Sequence, residues 1–368
     1  MNKQELDLLN ILKKETYENQ RCLSEISGYS LGKVNTSLSE LVKRGYLHAD
    51  YRLTEQAEEL FEENRPEQAI ILAAGAGMRM IPINTEVSKG MLEVKGETLV
   101  ERLIKQLKEK GIHKITIVVG FMKEQYEYLI DEYGVELVYN KEYAVKNNLF
   151  SLAKVKDRLE NAYIVPCDLW CRKNPFSETE LYSWYMIDDT SDEDSTIRMN
   201  RKMELKAVGG AEDGNHMVGI AYINKESAGV LKQNISGMTE HRRYYNSFWE
   251  DAAMEKEKMI LFPKEVKKGE VLEINTLEQL RDLDENSDQL NSELLDIISD
   301  TLSCELREIT EIEPLKKGMT NRSFRFRCGE KRYIMRVPGE GTDKMINRSQ
   351  EYDVYQVIGP KGICDPVR

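Results

Sequence analysis

Gly75-Ala76-Gly77 closes an apolar run, Ala69-Ile70-Ile71-Leu72, with Arg79 two residues further on and Lys89 ten beyond that. Glycine lets backbone N–H groups close around phosphate oxygens. Arginine and lysine add fixed positive charge where a triphosphate becomes more negative during reaction. Leu72, Ala73, Ala74, Gly75 and Gly77 are therefore candidate nucleotide contacts, and Arg79 and Lys89 candidate catalytic cations. The spacing is that of neither G-x-x-x-x-G-K-[ST] nor G-x-G-x-x-G.

Residues 72–91 resemble the signature of the nucleotidyltransferases that make nucleotide-activated sugars and alcohols, roughly L-A-A-G-x-G-x-R-[LM]-x-P-x-T-x-x-x-P-K-x-[LM]. Asn84 stands where Thr is usual and Ser88 where Pro is; neither position supplies charge. Nucleotidyl transfer brings two anions together, so the resemblance implies a divalent cation on hard oxygen ligands. Asp168 ends the apolar run AYIVPCD, and the corresponding strand-end Asp of the family binds Mg²⁺. VLEINTLEQLRDLD resembles the family's late [DE]-[IV]-[DN]-[ST]-x-x-[DE]-L motif. There Glu273 and Asn275 alternate with apolar neighbours, which predicts one face of a strand end and two further metal ligands. Thr276 and Gln279 have capping-box spacing for the helix that follows.

Phe248-Trp249-Glu250-Asp251 sets an aromatic beside two carboxylates, which suits a cation unable to donate N–H bonds. Trp249, Glu250 and Asp251 are candidate substrate contacts, Asp251 with metal ligation as its alternative. Tyr143, Phe150, Trp170, Trp184, Tyr185 and Tyr222 are further aromatics, two or three of which would line a site. Residues 117–152, with G-F-M-K-E-Q and N-N-L-F-S-L, resemble bacterial CTP:phosphocholine cytidylyltransferases. That likeness implies CTP as donor and an alcohol phosphate as acceptor. Gly120 and Asn148 become candidate nucleotide contacts, Asn147 and Ser151 candidate substrate contacts; the two asparagines equally suit a helix cap.

These residues need a scaffold. Between residues 67 and 290, strand patterns (QAIILAA, HKITIVVG, VELVYN, AYIVPCDLW) alternate with helical ones (TLVERLIKQLKEKG, MKEQYEYLIDEYG, NNLFSLAKVKDRLEN). The alternation predicts an α/β, Rossmann-like and mostly parallel sheet, with ligands at the C-terminal strand ends. The glycine loop and Asp168 both fall at such ends. Residues 1–65 resemble a winged helix-turn-helix, whose usual DNA contacts would be Lys33, Asn35 and Thr36. Nine Lys/Arg against twelve Asp/Glu favour protein docking or homodimer contact over DNA. Residues 291–368 resemble the start of a choline-kinase or aminoglycoside-phosphotransferase N-lobe. Gly318-Met319-Thr320-Asn321 would be its loop over ATP, Arg336 its phosphate-contacting base and Glu351 the helix partner; no catalytic loop follows within the sequence.

A net charge of −12 argues against nonspecific nucleic-acid wrapping. No apolar run approaches a membrane span, and the N-terminus lacks a signal-peptide core. Cys167 and Cys171 have no second pair nearby, so zinc is not expected, and reduced thiols suit a cytoplasmic protein. The expectation is Mg²⁺-dependent formation of CDP-choline from CTP and phosphocholine. Its rivals are another acceptor such as 2-aminoethylphosphonate, or a winged-helix regulator that uses the fold as a ligand sensor.

Overall fold

The structure is a computed structural model, and it describes residues 1–14, 18–193, 195–200, 202–207, 213–255, 259–290, 292–315, 321–338 and 347–362. The chain forms two compact units: residues 1–76 with 99–273, and residues 77–98 with 274–368. The linear segments and the compact units thus divide the chain differently.

In the first unit, helices α1 (Lys3–Lys14), α2 (Gln20–Ser27), α3 (Leu31–Lys43) and α4 (Glu55–Glu63) precede the sheet. Gly28 at φ 70° ends α2 and Gly45 at φ 83° follows α3, both in the left-handed region that glycine enters without steric cost. A bridge between Leu47 and Leu53 closes the turn before α4. The sheet strands are β1 (Gln68–Ala73), β2 (Lys114–Val119), β3 (Glu136–Tyr139), β4 (Ala162–Pro166), β6 (Trp184–Asp192), β7 (Gly214–Ile223) and β8 (Phe262–Val266), in the order β8-β6-β7-β4-β1-β2-β3. A separate ribbon pairs β5 (Leu169–Cys171) antiparallel with β9 (Val271–Glu273).

The run β3-β2-β1-β4 is parallel, as the alternating pattern predicts. β7 departs, pairing antiparallel with both β4 and β6. Among the described residues no α-helix lies between β6 and β7, and a parallel return would need such a crossover. β1 after Gln68, and β4, are apolar because both sheet faces are covered. One face packs Ile70, Val118, Ile164, Tyr185 and Ala221 against α7 (Asn148–Ala153), α8 (Lys225–Thr239) and α9 (Trp249–Met254). α5 (Leu99–Glu109) buries Leu99, Leu103 and Leu107, a helical stripe, and Gly111 at φ 75° ends it.

Two predicted helices are shorter than their patterns. Residues 123–133 divide into a 3₁₀ turn, Lys123–Tyr126, and α6 (Tyr128–Tyr133). α7 stops at Ala153, because β-branched Val155 leaves helical geometry at φ −127°.

The N-terminal helices share a core with the sheet domain, since Leu181 and Tyr182 pack among Leu8, Leu9, Leu38 and Phe61. The Asp7 carboxylate accepts hydrogen bonds from the hydroxyls of Tyr29 and Tyr182 and from Lys3 Nζ at 2.7 Å. Burial, with this carboxylate beside it, pushes the Tyr182 phenol far above its ordinary range. At the far end of α4, Asn161 Nδ2 donates to the Glu63 carbonyl (2.8 Å) and the Tyr222 hydroxyl to the Asn64 carbonyl (2.6 Å).

The second unit holds a short hairpin, Glu93–Val94 with Glu97–Thr98, then α10 (Leu277–Leu283) and α11 (Glu293–Leu302). A three-stranded antiparallel sheet follows, β10 (Ile309–Pro314), β11 (Asn321–Cys328) and β12 (Lys331–Pro338), and then α12 (Arg348–Ile358). Arg336 on β12 reaches Glu351 on α12 at 3.1 Å. Gly318, Met319 and Thr320 of the expected loop lie outside the described residues.

If the Asp7 node joins the N-terminal helices to the sheet domain, Tyr182→Phe removes one buried hydrogen bond and costs about 1–2 kcal/mol. Urea unfolding followed by tyrosine and tryptophan fluorescence measures this; an unchanged midpoint and slope would dismiss the node as a structural joint.

Candidate active site

Parallel pairing sets β1, β2 and β4 side by side, so their C-terminal ends share one edge. The loop Leu72-Ala73-Ala74-Gly75 leaves β1 at that edge. The Ala74 carbonyl accepts the Phe121 N–H at 3.1 Å. Gly120 has a packing reason to be glycine: a Cβ there would stand 2.6 Å from the Ala74 carbonyl oxygen and 2.8 Å from Tyr143 Cβ. The neighbouring strand end is tied in by the Cys167 N–H, which donates to the Leu72 carbonyl at 3.2 Å. Asp168 follows immediately.

The next residues form the β5–β9 ribbon, whose register pairs Leu169 with Glu273. Asp168 and Glu273 therefore lie at one end of the same ribbon. Arg102 of α5 holds its far end: Nε and Nη2 donate to the Cys171 carbonyl at 2.9 and 2.8 Å, and Gln106 Nε2 donates to it at 3.3 Å. The guanidinium also lies 5.0 Å from the Trp170 ring centroid. Nothing in the sequence flags Arg102, whose partners lie about seventy positions away.

In the second unit, Gly77 takes φ 56° and backs onto the Lys89 stem, whose Cβ would lie 3.4 Å from an added side chain. Arg79 Nη2 (2.8 Å) and Lys89 Nζ (2.6 Å) both donate to Asn275 Oδ1. Thr276 and Gln279 form the expected capping box at α10. Gln279 Oε1 accepts from the Asn275 N–H (2.6 Å) and the Thr276 N–H (3.0 Å). The Asn275 oxygen, expected as a metal ligand, is thus taken up here by the two cations.

The aromatic–carboxylate constellation separates into distinct roles. Phe248 is exposed, whereas Trp249 and Glu250 are buried. Asp251 accepts the Phe248 N–H at 3.1 Å, which commits its carboxylate to capping α9. Glu250 Oε1 accepts from the Tyr185 hydroxyl at 3.0 Å, while Oε2 is buried without a hydrogen-bond partner among the described residues. Burial pushes the Glu250 carboxyl up to about 7. Burial chiefly, and then the charges of Glu250 and Glu273, raise the Tyr185 phenol well above its ordinary range. Tyr185 thus sits in the field of both the Glu250 and the Glu273 carboxylates.

Asn147 and Asn148 do the capping work that their pattern allowed. Asn147 Oδ1 accepts the Asn148 N–H, and its backbone N–H donates to the Tyr245 carbonyl at 2.7 Å. Asn148 Oδ1 accepts the Trp249 N–H at 2.8 Å. The Ser151 hydroxyl is buried and accepts from Asn140 Nδ2 at 3.0 Å. The two asparagines hold the segment from Tyr245 to Trp249 against α7, and Ser151 ties α7 to Asn140.

Of the other aromatics, Trp184 and Tyr222 pack on Tyr163 in the core, and Trp170 lies under Arg102. Phe150 meets Tyr245 edge-on, with Lys146 Nζ 4.4 Å and 4.5 Å from the two ring centroids. Sequence reasoning missed Tyr245 and Lys146.

Residues 69–179 match the family model described as a MobA-like NTP transferase domain. The chain is 31% identical over 223 residues to the choline-phosphate cytidylyltransferase of Streptococcus pneumoniae, covering 59% of this chain and 97% of that protein. The chain belongs to this cytidylyltransferase family. A 2-aminoethylphosphonate cytidylyltransferase from Lancefieldella rimae is 30% identical over 198 residues, covering 50% of this chain and 77% of that one. The solved CTP:phosphocholine cytidylyltransferase of Streptococcus pneumoniae superimposes with a TM-score of 0.55 at 30% identity, over 60% of this chain and 98% of that structure. The mostly parallel sheet is the nucleotidyltransferase fold, and the chain is a nucleotidyltransferase of the cytidylyltransferase kind.

Such enzymes work with a divalent cation. Among the described residues no three His, Cys, Asp or Glu converge on one point. Asp168 and Glu273 offer hard carboxylate oxygens at one ribbon end, a donor set that suits Mg²⁺, which completes its octahedron with water and substrate phosphate. Arg102→Ala should weaken Mn²⁺ binding to the nucleotide-free cytidylyltransferase about 10-fold or more, the range seen when residues supporting ligands are lost. Arg102→Lys should recover part of it. Electron paramagnetic resonance of free Mn²⁺ reads this directly, and wild-type affinity in Arg102→Ala would show that the ribbon needs no clamp.

Proposed function

We propose that this cytidylyltransferase transfers a cytidylyl group from CTP to phosphocholine, giving CDP-choline and pyrophosphate. The observation that carries the acceptor choice is Glu250, a buried carboxyl whose Oε2 has no partner among the described residues, set beside Trp249 and Tyr185. A desolvated carboxylate with aromatic faces recognises a quaternary ammonium without N–H donors. The similarity to choline-phosphate cytidylyltransferases supports the same reading.

An acceptor phosphate oxygen attacks the α-phosphorus of CTP. The new P–O bond forms as the bond to the bridging oxygen of pyrophosphate breaks, and that electron pair departs with pyrophosphate. No protein nucleophile takes part. Leu72 to Gly77, with Gly120 and Asn148, shape the nucleotide side; Arg79 and Lys89 offset the triphosphate charge. Asp168 and Glu273 would hold Mg²⁺, with Asn275 as a further ligand once its oxygen is released; the ion supplies neutralisation of the phosphates. Trp249 and Glu250 meet the cationic head, while Asn147 and Asp251 fix the segment that carries them and Ser151 lies in the helix beneath it.

A second reading has support of its own. A primary ammonium can donate an N–H to Glu250 Oε2, and the Lancefieldella rimae relative is named for 2-aminoethylphosphonate. For the flanking segments, the reading is a docking winged helix over residues 1–65, the nucleotidyltransferase over 67–290, and the start of a kinase-type lobe over 291–368. The Arg336–Glu351 pair supports the last, because kinase N-lobes join a strand base to a helix carboxylate.

Pyrophosphate release with Mg²⁺ and CTP, compared for phosphocholine, phosphoethanolamine, 2-aminoethylphosphonate and a sugar 1-phosphate, tests the assignment. Phosphocholine is expected to give the highest kcat/KM, and preference for 2-aminoethylphosphonate would transfer the assignment to the second reading.

The acceptor pocket also predicts a pH signature. Glu250 is a neutral acid below about 7 and a carboxylate above it. The KM for phosphocholine should therefore rise as pH falls from 8 to 6. Glu250→Gln should raise KM about tenfold at pH 8, equivalent to about 1.4 kcal/mol, and flatten this part of the profile. The acceptor phosphate titrates in both enzymes, so the difference between the two profiles isolates Glu250. Parallel profiles would remove Glu250 from acceptor recognition.

A further inference from the structure

Asn275 Oδ1 accepts from two cations at once, and those are the two cations the proposed reaction uses. A carbonyl oxygen has two lone pairs, so both are engaged. The chemistry fixes the orientation of the amide: its NH₂ cannot accept from a guanidinium and an ammonium, so the oxygen must face them. Asn275 is buried, and its position is not left to a loose loop. Its own N–H and that of Thr276 converge on Gln279 Oε1, which the first turn of α10 holds in place. On the other side the Lys89 stem lies against Gly77, within van der Waals reach of an added Cβ.

Two like charges do not gather around a point without an electronegative atom between them. The Asn275 oxygen is such an atom; in the reacting complex a phosphate oxygen takes its place. We propose that Asn275 is a placeholder for a phosphate oxygen of the donor: it gathers Arg79 and Lys89 in advance and yields them to the triphosphate, with Gln279 as the positioning residue that fixes it. This rests on the reading of Arg79 and Lys89 as triphosphate ligands. A neutral amide suits the task better than a carboxylate would. It orders both cations, yet a polyanion displaces it readily, because bonds between two charged partners are the stronger. The exchange also frees the amide oxygen, so holding the cations and ligating a metal are successive states of one atom.

Inorganic pyrophosphate, titrated calorimetrically in EDTA, separates the placeholder from a purely metal-binding Asn275, because without metal the latter contributes nothing. Asn275→Ala is expected to weaken pyrophosphate at least 5-fold, and Gln279→Ala about 3-fold, with unchanged circular dichroism. In a Lys89→Ala background Asn275→Ala should have little further effect, because a single cation needs no gathering. Unchanged or tighter binding in Asn275→Ala overturns the placeholder, as does a full effect of Asn275→Ala on top of Lys89→Ala. Should Asn275→Ala not fold, Gln279→Ala decides alone, wild-type affinity overturning the proposal. Wild-type affinity in both Arg79→Ala and Lys89→Ala would instead defeat the underlying clamp reading and the placeholder with it.

Discussion

Parallel pairing leaves no freedom in where β1, β2 and β4 end. Each strand of the run β3-β2-β1-β4 points the same way, so their C-terminal ends form one edge and every connection must cross over to start the next strand. Ligand sites gather at such an edge because backbone groups and loop side chains project there without neighbours. Two bonds tighten it: the Phe121 N–H to the Ala74 carbonyl and the Cys167 N–H to the Leu72 carbonyl. The glycine loop and Asp168, almost a hundred residues apart in sequence, follow from that one constraint. So does the absence of a side chain at Gly120, where a Cβ would collide with the loop.

Charge is the second constraint. A site that handles a triphosphate, a phosphate ester and a divalent cation cannot leave its own charged groups to find each other at random. Here the fold ties them down through specific hydrogen bonds. The ribbon bearing Asp168 and Glu273 is clamped through the Cys171 carbonyl, which takes two hydrogen bonds from Arg102 and one from Gln106. The cations Arg79 and Lys89 are held by an amide oxygen. Glu250 is held by a phenol.

Which parts were legible in the sequence follows from the range of the interactions. The glycine loop, the strand-end Asp168 and the Thr276–Gln279 capping box are local patterns, and they appear where the spacing places them. Arg336 and Glu351, the base and helix partner in the kinase-lobe resemblance, lie 3.1 Å apart. Arg102, Tyr245 and Lys146 carry no local mark; their importance comes from partners brought in by the fold. Local patterns also misassign charge. Asp251 and Glu250 look equivalent in Phe248-Trp249-Glu250-Asp251, but one residue of helical rotation sends Asp251 back to cap the helix and Glu250 into the core. Asn275 shows the same limit, since spacing marks it as a ligand but cannot reveal that both cations reach it first.

The N-terminal helices show how placement bears on partner choice. Docking on the sheet domain runs through α1, by way of Asp7 and Tyr182, and through the end of α4. α3 therefore keeps Lys33, Asn35 and Thr36 exposed, the face a DNA reader would use. The basic groups needed beside that face are engaged elsewhere: Arg44 lies 3.6 Å from Glu5 and 4.0 Å from Glu40, and Arg52 2.7 Å from Asp50. Such surface pairs add little stability, but they take away the uncompensated positive field on which phosphate binding depends. These pairings support the proposed docking role of residues 1–65 over a DNA-reading one.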